Sequence, residues 1–194
     1  MRYDYALLTL ARAPTPHQAL AAYLSESVTG LVGQFAPQLG WANNEAAVLL
    51  RVAPEAEPGE LTVPNLITQV RRERLTPTLR PADESLPRPG GVYVHRWFEV
   101  DAGAADEFVE LSGRGWERFE AKFDTQIFGL FRAEISSPDA AAGIERLLLL
   151  TRYADHAVWE ASRDPTSEAM RIFARRQQLT RRSWAASTLL VPAR

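Results

Sequence analysis

The sequence predicts an α+β protein built from two tandem ferredoxin-like repeats, each β-α-β-β-α-β, whose antiparallel sheets pack face to face as a pseudo-dimeric α+β barrel. Three observations carry this. A strand-then-helix pattern recurs at a displacement of 88 residues. The hexapeptide "RRERLT" (Arg71 to Thr76) returns as "RRQQLT" (Arg175 to Thr180). The proline- and glycine-rich "DESLPRPGG" (Asp83 to Gly91) divides the chain near its middle. The expected organisation is an N-terminal repeat over 1–86, a linker over 87–91 and a C-terminal repeat over 92–194.

The first element of each half reads as a strand. "YALLTLA" from Tyr5 and "YVHRWFE" from Tyr93 alternate and are rich in aromatic and aliphatic residues. Turn-like segments follow, "RAPTPHQ" and "VDAGAAD". Helical periodicity then starts in both halves. Leu20, Tyr23, Leu24, Ser27, Val28, Leu31 and Phe35 share one face in the first. Phe108, Leu111, Ser112, Gly115, Trp116, Phe119 and Phe123 share one in the second.

Two strands are expected after each helix. In the first half they are "QLGWA" and "AAVLLRV", joined by "NNE". In the second they are "QIFGLFRAEI" and "IERLLLLTRY", joined by the turn-rich "SSPDAAAG". A second helix ending in the RRxxLT copy is expected in each half. There the arginines would favour the negative end of the helix dipole, and the alternative role for the paired hexapeptides is anion binding. "SWAASTLLVPA" reads as the closing strand, and its first-half counterpart near "TPTLRPA" is broken by proline.

Composition bounds the function. The chain has 194 residues, 46% hydrophobic and 24% charged, with a net charge of −2. That balance gives no electrostatic footprint for nucleic acid or an anionic membrane. There is no cysteine, which removes disulfides, thiolate nucleophiles and cysteine metal sites. The longest aliphatic run, Leu147 to Leu150, is far short of the ~20 residues that span a bilayer. A cytoplasmic protein is the expectation, with a homodimer among its expected assemblies.

The second half resembles the NIPSNAP family of the dimeric α+β-barrel superfamily. The resemblance rests on "VYVHRWFEVDAGAADEFVEL", "FGLFRAEI", "LLLLTRYADHAVWEASRDP" and "STLLVPA", and it covers roughly 92–193. In that family an arginine-bearing strand leads through a glycine turn into a long amphipathic helix. Arg96, Phe98 and Gly103 occupy those positions, while His95 and Trp97 stand where smaller or aliphatic residues are expected. The resemblance implies a barrel interior that holds ligands. Superfamily relatives include cofactor-free monooxygenases, cyclases, haem-handling enzymes and non-catalytic proteins.

Candidate chemistry centres on the strand "YVHRWFE". Period-2 alternation puts Tyr93, His95, Trp97 and Glu99 on one face, expected to point into the barrel. An aromatic wall with one imidazole suits an organic ligand, and histidine moves protons near neutral pH. The competing reading is a core histidine satisfied by a hydroxyl or backbone partner. Arg132, in phase with Phe128 and Leu130, would stabilise an anion if its face points inward, or else pair with a nearby acid. Tyr93, Trp97, Phe128 and Tyr153 complete the expected pocket wall.

The expected function is a bacterial-type biosynthetic enzyme acting on a small apolar or aromatic molecule. Its chemistry would be metal-free proton transfer (cyclisation or isomerisation) or cofactor-independent oxygenation, with His95 as acid/base and Arg132 as anion stabiliser. The alternatives are a non-catalytic binding or scaffold protein and a haem protein with His156 as axial ligand. His17 follows two prolines and reads as solvated. Three dispersed histidines give no metal-ligand spacing. Trp116 and Trp159 fall on predicted helices, Trp116 as core and Trp159 as a candidate subunit contact.

Overall fold

In the computed structural model, which describes residues 1–56 and 59–192, the first half supplies β1 (Arg2–Leu10), α1 (Pro16–Ser27), β2 (Leu31–Leu39), β3 (Glu45–Val52) and β4 (Ile67–Pro77). The second half supplies β5 (Val92–Asp101), α2 (Ala105–Lys122), β6 (Thr125–Ala133), α3 (Ser137–Ala142), β7 (Ile144–Tyr153), α4 (His156–Ala161), α5 (Glu168–Gln178) and β8 (Thr180–Val191). The eight strands close into an antiparallel barrel in the order β1-β3-β2-β8-β5-β7-β6-β4. Read by halves, this is β4-β1-β3-β2 followed by β8-β5-β7-β6, the same strand order twice. The fold is the dimeric α+β barrel, with both sheets in one chain.

The two seams are equivalent in topology. The second strand of each half meets the fourth strand of the other: β2 pairs with β8 from Gln34↔Val191 to Leu39↔Ser187, and β6 pairs with β4 at Leu75↔Ala133, Thr76↔Arg132 and Pro77↔Phe131. Closure leaves no free sheet edge. Arg146 on β7 reinforces one seam, donating to both carboxylate oxygens of Glu73 on β4 at 2.7 and 2.9 Å.

Alternation sorts the side chains into layers. Tyr3, Tyr5, Phe35, Leu49, Tyr93, Trp97, Phe131 and Leu148 fill the barrel. Each such side chain contributes about 1.5–3 kcal/mol by leaving water. On the outer face of the first sheet, Ala6, Leu8 and Leu10 pack under Leu20 and Leu24 of α1. On the second, Val94, Phe98 and Leu147 pack under Phe108, Trp116 and Phe119 of α2. Gly113 and Gly115 do not break α2. A Cβ on Gly115 would stand 2.5 Å from Phe173 of α5, so its absence lets the two helices approach.

Several expectations are corrected here. The first helix stops at Ser27, and Leu31 and Phe35 lie on β2, with Phe35 fully buried in the barrel. Gly30 forces the break: its φ is +76° and a Cβ there would meet the Arg51 carbonyl oxygen at 2.2 Å. Among the described residues the first half has no second helix. "RRERLT" lies on β4, where Ile67, Thr68 and Val70 favour extended chain. Only "RRQQLT" ends a helix, with Arg175 and Arg176 in the last turn of α5. "SSPDAAAG" contains α3, closed by a Ser136/Asp139 capping box and a left-handed Gly143. The predicted closing strand ends at Ala193, which lies outside the described residues.

Candidate functional site

Tyr93, His95 and Trp97 do face the barrel interior, together with Phe128. His95 is fully buried and both ring nitrogens have partners: Tyr5 Oη is 3.0 Å from Nδ1, and Thr188 Oγ1 is 3.0 Å from Nε2. Thr188 donates its own proton to the Tyr93 carbonyl at 3.3 Å. Thr188 Oγ1 therefore accepts from Nε2–H, and Nδ1 accepts from the Tyr5 hydroxyl. Every proton in this chain is assigned with a neutral imidazole. Burial agrees, pulling the His95 pKa down to about 3. Phe35 and Trp41 crowd the ring, at 4.8 and 5.0 Å between centroids. This is a satisfied core histidine in filled space.

Arg132 and Tyr153 are not brought to His95. A β-bulge between Ile127 and Gly129 shifts the phase of β6, so Phe128 and Phe131 face inward while Leu130 and Arg132 face out. Arg132 instead bonds Asp106 Oδ1 at 2.6 Å, with Glu145 at 3.8 Å. Tyr153 lies on the outer face of β7, against Phe119 and Trp159. His156 Nε2 stands 3.2 Å from Ser187 Oγ, and His17 Nε2 3.1 Å from the Asn43 carbonyl.

Of the three best-formed cavities among the described residues, none is lined by Tyr93, His95 or Trp97. One of about 520 Å³ lies beside the linker, where its Arg80 is paired with Glu120 at 2.8 Å. One of about 250 Å³ lies beside the loop after β3. The largest of these three, about 550 Å³, sits between the outer face of the second sheet and helices α2, α4 and α5. That volume falls within the range of small-molecule sites.

Strand alternation and helix phase build this third site. Arg96 of β5 and Thr151 and Tyr153 of β7 form its floor. Trp116 and Phe119 of α2, Trp159 of α4, and Phe173 and Arg176 of α5 form its walls. Asp155 and Ser167, each capping with its side chain, fix the starts of α4 and α5. Tyr153 has its pKa raised by burial, against the pull of Arg96, Ser162 and Arg176. Arg96 is lowered by burial, and Arg163 adds to this. Arg176 is lowered to about 9 by burial and by repulsion from Arg96. Trp116 and Trp159, read from the sequence as core and as subunit contact, both line this cavity. So does Arg176, the second arginine of "RRQQLT". Arg96 was legible as facing away from His95. Nothing in the sequence joined it to Arg176, eighty residues away.

Comparison with known proteins gives a fold and no family. No family model matches the chain, and no curated protein does. Among solved structures, an anthrone oxidase-like protein is similar with a TM-score of 0.61 at 14% identity, over 100% of this chain and 92% of that one. A presumed monooxygenase from Lactobacillus acidophilus gives 0.59 at 12% identity, over 97% and 93%. A major regulator of staphylococcal pathogenesis gives 0.59 at 7% identity, over 99% and 100%. Two of these names suggest oxidation and one suggests regulation, so the likeness establishes the barrel and leaves the activity to the site.

Proposed function

We propose that this protein is an enzyme that takes a small apolar or aromatic organic molecule into the helix-side cavity and activates it without a metal. One observation carries the reading. The 550 Å³ cavity has aromatic walls and converging polar groups, Tyr153, Thr151, Arg96 and Arg176, on a rigid sheet. Loss of a proton from a bound substrate leaves negative charge on its oxygen or carbon. Guanidinium groups in a water-poor space lower the cost of that charge. The Tyr153 hydroxyl, kept protonated by burial, is placed to donate to it.

Two outcomes are open to such an ion. Reprotonation at another atom is an isomerisation or a step of a cyclisation. Reaction with molecular oxygen converts a methylene and O₂ to a carbonyl and water. The names of two structural neighbours favour the second. NIPSNAP membership, which rests on the resemblance of the second half, and a cytoplasmic, biosynthetic setting are part of the same reading.

The cavity's own residues do not suit haem. None of the three histidines lines it, and a Tyr153 held as the neutral phenol is a poor axial ligand. A metal finds no donor set there either, since no carboxylate or imidazole lines the space.

The test is incubation of the full chain with an anthrone under air, with oxygen uptake and ketone absorbance recorded together. One O₂ consumed per ketone formed, lost in Tyr153→Phe, is expected. Binding without turnover of this or any tested aromatic substrate would make the protein a non-catalytic ligand carrier.

A further inference from the structure

The helix-side cavity holds more positive charge than its walls can balance. Arg176 is 7% exposed, and its guanidinium meets a hydroxyl and aromatic faces but, among the described residues, no acid. Nη1 is 3.3 Å from Ser112 Oγ, and the ring centroids of Phe173, Phe98 and Phe108 lie 4.3, 5.2 and 5.2 Å from Cζ. Its Nε is buried without a partner. Arg96 sits close enough to repel it and, among the described residues, forms no ion pair either. Two further buried donors lack acceptors, the indole nitrogens of Trp116 and Trp159, and both residues line the same space. No Asp or Glu lines it.

Elsewhere this protein pairs its partly buried arginines. Arg146 has Glu73 and Asp139, Arg80 has Glu120, and Arg72 has Asp4. A buried charge left unpaired is costly, and three buried donors left open beside a second arginine without an ion pair describe the complement of a missing acceptor. We propose that the molecule bound here is an organic anion: a flat, largely apolar acid whose carboxylate is received by Arg176 and Arg96, with its body between Trp116, Phe119, Trp159 and Phe173. This rests on the cavity being the substrate site and names the substrate's class.

The planar fork of a guanidinium matches a carboxylate, and a hydrophobic body suits the aromatic walls better than a small hydrated anion would. Arg163 and Arg171, exposed at the cavity, extend the positive field outward. They would draw anions in and make capture weaken with salt.

The experiment is isothermal titration of the full chain with three probes: 2-naphthoate, the neutral isostere 2-naphthamide, and inorganic phosphate. Each is run against wild type, Arg176→Met and Arg96→Met. Wild type is expected to bind naphthoate at least about tenfold more tightly than naphthamide, as suits a charge-assisted pair. Each variant is expected to lose that preference while keeping its naphthamide affinity. Ligand-free Arg176→Met is expected to melt no lower than wild type, because it removes an unpaired charge. Naphthamide binding wild type as well as naphthoate does would overturn the anion and leave the small-molecule site standing. If neither naphthalene binds, the substrate-site reading falls with it. Phosphate displacing naphthoate at low millimolar concentration would replace the organic acid by an inorganic anion. A folded Arg96→Met that keeps the full preference would also sink the assignment, whatever becomes of Arg176→Met.

Discussion

The barrel core makes the sharpest quantitative prediction, because His95 is held neutral by its surroundings. In the unfolded chain its imidazole takes a proton near pH 6.5, and in the folded protein only near pH 3. Between these values the unfolded state binds more protons, so stability falls as pH falls. At about 1.4 kcal/mol per pH unit, a window of about 3.5 pH units amounts to about 5 kcal/mol, much of a typical domain's total. The perturbation is His95→Phe with Tyr5→Phe, which removes the titration and the hydroxyl that would otherwise be orphaned. His95→Phe alone leaves Tyr5 Oη buried without its partner and costs about 1–3 kcal/mol at pH 8. The second substitution should restore most of that. The assay is urea unfolding followed by tryptophan fluorescence from pH 8 to pH 4. The wild type should lose about 1.4 kcal/mol per unit more than the double variant below pH 6.5. Parallel pH profiles for the two proteins would refute the reasoning, since they would mean that His95 charges in place.

Three further outcomes follow from geometry. Gly30→Ala should lower stability by at least about 2 kcal/mol in the same urea assay, because its φ of +76° and the Arg51 carbonyl at 2.2 Å leave no place for a methyl. Arg146→Met should cost about 1–3 kcal/mol, and a double-mutant cycle with Glu73→Gln should return a coupling that salt reduces only in part, since both side chains are mostly buried. Tyr153→Phe should reduce turnover of any accepted substrate by about 10²-fold or more with KM little changed, as expected for a proton donor and not for a wall residue.

How far the sequence revealed all this depended on where local pattern and tertiary geometry agree. The inward face of β5 was legible because Tyr93, His95 and Trp97 keep period 2 without interruption. Arg132 was misplaced because period 2 fails at a bulge, and one extra residue at Ile127/Gly129 turns the rest of β6 over. The first-half helix ran too long on paper because Leu31 and Phe35 satisfy a helical spacing that Gly30 interrupts. "RRERLT" reads as a helix end because its copy "RRQQLT" does, yet near-identical hexapeptides take opposite structures in the two halves, strand β4 in the first and the end of α5 in the second. The cavity was the least legible feature. What matters there is that Arg96 and Arg176 lack acids, and a missing partner leaves no mark on a linear pattern.

The cavity also reflects an asymmetry between the halves. Both sheets present an outer face that a helical layer must cover. In the first half, α1 covers part of it and the chain after β3 covers the rest, with Leu61 and Leu66 packed against Leu20 and Leu24. In the second half α4 and α5 lie over the sheet, with Trp159 and Phe173 in the cluster on its outer face. Phe173 seats against α2 at Gly115, where a Cβ would stand 2.5 Å from its ring, and Trp159, Arg176 and Arg96 line the space beside it. The largest of the three cavities thus lies in the half that carries α4 and α5. The second copy of the repeated hexapeptide contributes the buried cation Arg176, while the first, on β4, sends Glu73 and Arg72 to ion pairs that hold the barrel together.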